Sequence, residues 1–144
     1  MTTIPSENRP SLLRRLAAVL YDGLLLIALW MAASALWIGF QGGEAATAGD
    51  GLFRLYLLAI AYAFFTGFWV RGGHTLGMQA WRLRLVDADG GRVTVRAATH
   101  RFVAAMLSWL PAGLGFLWAL FDREQLTWHD RLSQTYLRVE PKRR

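Results

Sequence analysis

Long apolar runs alternate along the chain with short charged segments. Between residues 16 and 43 the only acidic or basic side chain is Asp22, and residues 55–70 and 102–121 have none. A helix needs about 20 mostly apolar residues to cross a bilayer. GLLLIALWMAASALWIGF (23–40), extended back to Leu16, reaches that length. So does LFRLYLLAIAYAFFTGFWV (52–70), with Arg54 at the interface and its stem laid along apolar surface. Both are expected to be transmembrane helices. For the first run two other readings exist. A helix buried in a soluble protein carries a polar face, whereas only Ser34 and glycine interrupt 24–40. A cleaved signal could use Ala33-Ser34-Ala35, but its apolar region is about 7–15 residues, shorter than this run.

The third run, FVAAMLSWLPAGLGFLWALF (102–121), is long enough to span once, yet Pro111, Gly113 and Gly115 sit at its middle. Proline removes a helical hydrogen bond and glycine weakens the helix further. The expectation is a re-entrant or interfacial helical hairpin, and the alternative is a kinked third span with an external tail. WRLRLVD (81–87) and RVTVR (92–96) alternate basic and apolar residues around turn residues 88–91, the pattern of a β-hairpin. TYLRV (135–139) alternates in the same way and is expected to join it, since two strands alone are marginal. The fold class expected is an α-helical integral membrane protein. It has two transmembrane helices, a Pro/Gly-broken third apolar segment, and a small cytoplasmic β-hairpin joined by a C-terminal strand. It forms one domain over 1–144, with its core at about 11–139 and mobile ends at 1–10 and 140–144.

Composition sharpens this picture. The chain has 144 residues, 54% hydrophobic and 18% charged, with a net charge of +6. The absence of cysteine excludes disulfides, thiolate zinc sites and a cysteine nucleophile. Arg9, Arg14 and Arg15 precede the first run; the 41–51 loop holds Glu44 and Asp50 and no base; six arginines lie within 71–101. By the positive-inside rule the N-terminus is cytoplasmic and the 41–51 loop outside. The basic tail, with Arg123, Arg131, Arg138, Lys142, Arg143 and Arg144, puts the C-terminus inside as well. The location expected is a bacterial inner membrane, with anionic lipid headgroups and not nucleic acid as partner of the basic segments. No serine elbow or nucleophile–base pair is present. The 72–77 glycines lack the end of a phosphate loop, and Ala98 stands where a calcium loop from Asp87 needs glutamate. His74, His100 and His129 lack zinc-helix spacing. No enzyme activity, metal or cofactor is expected.

Asp22 is the costly residue: a carboxylate at the centre of a span is unfavourable by roughly 2.5–3.5 kcal/mol. Arg15 lies seven residues earlier on the same face, about 10 Å along the axis, so a partner from another segment is expected. RLAAVLYD (15–22), GGHTLGMQAWRLRLVDADGG (72–91) and LGFLWALFDREQLTWHDRLSQT (114–135) resemble the RDD family of bacterial membrane proteins, named for one arginine and two aspartates. The resemblance assigns Arg15 and Asp22 to the first two positions and Asp130 to the third, with Arg14 and Asp122 as rivals. It implies an integral membrane protein engaged in cation or ligand transport. Arg15, Asp22 and Asp130 are expected to meet near the cytoplasmic interface, either as a cavity where Asp22 exchanges a proton for a cation or as an ion pair that locks the fold. His129 is a candidate proton relay beside Asp130. Small residues recur at Ala59, Ala63 and Gly67 and at Ala28 and Ala32, which fits contact between the spans or a homodimer face. Trp30 and Trp118 are expected to pack inside. Two spans enclose too little space for a pore, so transport calls for a homo-oligomer or a membrane partner. The competing reading is a scaffold or assembly partner that transports nothing.

Overall fold

The computed structural model describes residues 9–47, 49–123 and 126–141. Their elements run α1 (Leu12–Phe40), α2 (Gly51–Gly72), α3 (Leu76–Ala80), β1 (Leu83–Asp87), α4 (Val95–Trp109), α5 (Leu114–Phe121), α6 (Trp128–Ser133) and β2 (Thr135–Val139). Ser11 caps α1 by accepting from the Arg14 amide. Asp50 caps α2 through the Leu52 and Phe53 amides, both at 3.1 Å. At 29 and 22 residues, both helices are longer than the hydrocarbon core of a bilayer, about 30 Å thick at 1.5 Å rise per residue.

The two helices meet through polar handles on an apolar contact. Trp30 Nε1 donates to the Leu57 carbonyl at 2.9 Å and the Tyr56 hydroxyl to the Ala33 carbonyl at 3.3 Å. Ala28, Ala32, Ala59 and Ala63 are exposed, so the small-residue stripes face away from this contact. Only 6% and 11% of the most apolar windows of α1 and α2 is buried within the chain. That removes the reading of a soluble core helix, which hides its apolar face.

The third apolar run is a helical hairpin. It breaks at 110–113, where Ala112 (φ 53°) and Gly113 (φ 79°) take the left-handed conformation. The 8-residue α5 then folds back onto α4. A Cβ on Gly115 would stand 2.6 Å from Ser108 Cβ, so glycine allows the two helices to touch.

The expected hairpin between 81–87 and 92–96 is not formed. Thr94 caps α4 through the Ala97 amide at 3.2 Å, and Val95 and Arg96 become its first turn. Helical spacing puts Ala98, Arg101 and Phe102 on one buried face. Burying that face outweighs the short period-two signal, which leaves Val95 60% exposed. β1 pairs directly with β2 instead, antiparallel, from Leu83 opposite Val139 to Asp87 opposite Thr135. Trp118 is likewise corrected: it is 47% exposed, with its ring 6.0 Å from that of Trp128. Of the ends read as mobile, 1–8 and 142–144 lie outside the described residues; Glu140 is fixed by Arg84 at 3.0 Å and by the Arg82 carbonyl at 2.8 Å. Leu83, Leu85, Ala98 and Phe102 join Ala18, Ala61 and Trp69 in one core. The start of α1, the end of α2, the sheet and α6 therefore gather at one end of the long helices.

Candidate functional site

The sequence Thr-Trp-His-Asp opens α6 with a capping box. Thr127 Oγ1 accepts from the Asp130 amide, and Asp130 Oδ2 accepts from the Thr127 amide at 3.1 Å. This reciprocal bond orients a carboxylate that is almost fully enclosed, its residue 2% exposed. Arg15 Nη1 donates to Asp130 Oδ2 at 3.0 Å, and Arg101 Nη1 to Asp130 Oδ1 at 2.7 Å. Arg101 Nη1 also reaches Thr135 Oγ1 at 3.0 Å, and its guanidinium carbon lies 5.6 Å from the centre of the Trp69 ring. One carboxylate thus ties together α1, α4, α6 and the first residue of β2. Burial works against its charge, but Arg101, His129 and Arg15 outweigh that and hold its pKa below the usual carboxylate range.

His129 Nε2 lies 4.0 Å from Asp130 Oδ1. Burial first, and then the Arg101 charge, push its pKa down to about 3, so the imidazole is neutral at pH 7. Two buried guanidiniums share one carboxylate, and the group carries an excess of one positive charge. Each guanidinium uses a single nitrogen, Nη1, in its hydrogen bonds to described residues. Five N–H donors are available on each.

Asp22 does not join this group. Its Oδ2 accepts from the Thr75 hydroxyl and its Oδ1 from the Gly77 amide at 2.8 Å. Thr75 Oγ1 in turn caps α3 through the Met78 amide at 3.2 Å. Neutral donors stand where a cation was expected, and no ion pair reaches Asp22 among the described residues. Its carboxylate holds α3 against α1. Gly77 permits this: a Cβ there would run into the Ala18 carbonyl and stand 2.9 Å from the Asp22 carboxyl.

The rival positions separate cleanly. Arg14 remains outside the cluster, half-buried near the cap of α1. Asp122 accepts from Arg131 at 2.7 Å and from the Leu126 amide at 3.0 Å, half-buried beneath an exposed arginine and away from the cluster. Arg101 is the site residue that sequence reasoning missed. A helix begun at Thr94, eight residues before the apolar run, was the available signal, because it places Arg101 on the same face as Ala98 and Phe102.

Arg15, Asp22 and Arg101 all open onto a cavity of about 430 Å³ between α1, α2 and α4. It runs from this polar end past Leu26 and Phe65 to Trp30 and Met106. Fold and site define a mostly helical protein built on two helices long and apolar enough to cross a membrane, with a buried arginine–aspartate cluster at one end. The chain belongs to the RDD family, whose family model matches residues 9–134. No curated protein and no solved structure matches it. Family and helices together point to a membrane protein.

Proposed function

We propose that this chain is a multi-pass protein of a bacterial inner membrane that takes part in moving a small ligand or cation, working as an oligomer. The observation that carries the reading is the cavity of about 430 Å³ with Asp22, Arg15 and Arg101 on its walls. A purely structural ion cluster needs no space beside it. The excess positive charge at one end favours a ligand with an acceptor group there over a bare cation. Asp22 lies deeper, with its carboxylate on the wall, and is the group available for proton exchange.

Both termini are cytoplasmic in this reading. The basic residues flanking the runs support it, and so does the pairing of β2 with β1 at the end where α1 starts. Arg71, Arg84, Arg92 and Arg138 ring a second depression of about 200 Å³ at that end, which suits anionic headgroups of the inner leaflet. For self-association, Ala63 and Gly67 line a groove of about 330 Å³ on the outer face of α2, and beyond its own helical turn no described residue lies within 4 Å of a Cβ built on Gly67.

The competing scaffold reading draws on the same polar residues, since Asp130 and Asp22 each fasten elements together. Proteoliposomes separate the two. Ion-driven proton flux is expected with the parent protein and is expected to fall at least tenfold with Asp22→Asn. Absence of flux in the parent removes the transport reading and leaves the scaffold; flux unchanged by Asp22→Asn removes Asp22 from the mechanism.

A further inference from the structure

We infer that the cavity receives a single-chain anionic amphiphile, its head on the Arg15–Arg101 pair and its tail along α1 towards Trp30. This deepens the transport reading and rests on it for the site, while making a claim about binding that is measured without flux.

Shape comes first. Arg15, Ala18, Asp22, Leu26 and Trp30 share one face of α1 and all line the cavity. From Arg15 to Trp30 that face is about 22 Å long at 1.5 Å per residue. Spread over that length, a volume of about 430 Å³ describes a narrow slot, suited to one extended chain and not to two. Its far part is apolar, and its side is open: Met106 and Trp109 line it while 45% and 57% exposed, so an occupant can enter laterally between α1 and α4.

Charge identifies the head. Arg15 and Arg101 are each 4% exposed and share the Asp130 carboxylate. A buried cation without a full counter-charge is costly, and an anion on the unused guanidinium edges relieves that cost. Guanidiniums bind carboxylate and phosphate oxygens through parallel N–H donors, and no hydrogen bond to a described residue occupies Nε or Nη2 of either arginine. The Trp69 ring lines the same cavity, and its Nε1 is buried with no hydrogen-bond partner among the described residues. An acceptor on the ligand would satisfy it. Asp22 lies about 10 Å deeper than Arg15 along α1, and both its oxygens already accept from Thr75 and Gly77. It borders the tail and leaves the head position clear.

The test uses the full chain in detergent and a fatty acid brominated along its tail, which quenches tryptophan on contact. Saturable quenching is expected from Trp30, Trp69 and Trp109. The brominated alcohol of the same chain is expected to bind at least tenfold more weakly. A brominated alkyl phosphate matching the acid assigns the head only as an anion; a tenfold preference for either acid or phosphate names it. Arg101→Gln is expected to weaken binding at least tenfold. Because that change disturbs the buried cluster, Gly23→Leu serves as a second variant. Gly23 lines the cavity with nothing within 4 Å of an added Cβ, so leucine fills the slot and leaves the ion cluster intact. It is expected to abolish saturable quenching without lowering stability. Brominated two-chain phospholipid in nanodiscs is expected to give no saturable site. Equal binding of acid and alcohol, full binding by Gly23→Leu, or saturation by the two-chain lipid each overturns the proposal. Binding without flux leaves this inference standing and removes the transport reading; flux without binding does the reverse.

Discussion

Replacing Asp130 with asparagine keeps the shape of the side chain and the acceptor that closes the capping box, and removes only the charge. Arg15 and Arg101 then remain 4% exposed each, without a carboxylate between them. Removing one partner from a buried ion pair costs about 3–5 kcal/mol, most of it the penalty of the charge left behind. Against a typical stability of about 5–15 kcal/mol, that is a fifth or more of the total. The chain supplies its own control. Asp122 bonds Arg131 at 2.7 Å, as short as the Arg101 contact, but the side chains of Arg131 and Asp122 are 44% and 11% exposed, against 5% and 0% for Arg101 and Asp130. Asp122→Asn is therefore expected to cost about 1 kcal/mol or less, because water screens the pair. Unfolding in mixed detergent micelles, followed by tryptophan fluorescence, gives both values. The Arg101→Gln, Asp130→Asn double variant is expected to lose less than the two single losses combined, by roughly 0.5–3 kcal/mol. If Asp130→Asn and Asp122→Asn cost the same, the cluster is hydrated and the burial argument fails.

The neutral, buried His129 predicts acid sensitivity. Its folded pKa is pushed down to about 3, mainly by burial, while an unfolded histidine titrates near 6.5. Between those values the unfolded chain holds the extra proton, so stability is full above about pH 6.5 and falls as the pH drops, by up to about 1.4 kcal/mol per unit. His129→Gln is expected to flatten that slope between about pH 6 and 4.5 in the same unfolding assay. Asp130, whose folded pKa is depressed, adds a separate loss only below about pH 4. Gly77→Ala forces a methyl against the Ala18 carbonyl and the Asp22 carboxyl; overpacking of this kind costs about 1–3 kcal/mol, with protease cleavage near α3 as the local readout. A reporter fused after Arg144 is expected to be active only in the cytoplasm, and a periplasmic signal refutes the shared side of the two termini.

The long helices are legible in the chain because their cause is local. Runs of apolar residues with caps at Ser11 and Asp50 satisfy most of their backbone groups within one segment, wherever the rest of the protein lies. The break at Pro111 and Gly113 is legible for the same reason. The arginine and second aspartate of the cluster could be named only through the resemblance to the RDD family carried by RLAAVLYD and WHDR. Tertiary structure alone decided the partners. Asp130 meets Arg15 across 115 positions and Arg101 across 29, and no period along the chain encodes such distances. Residues 92–96 carry a strand pattern too short to prevail once α4 can bury Ala98 and Phe102. Asp22 and Arg15, neighbours on one helix face, part because Thr75 and Gly77 reach the deeper carboxylate first, while α6 brings Asp130 to the arginine. A single segment sets which residues can be buried; only the packing of several sets which charge each buried group receives.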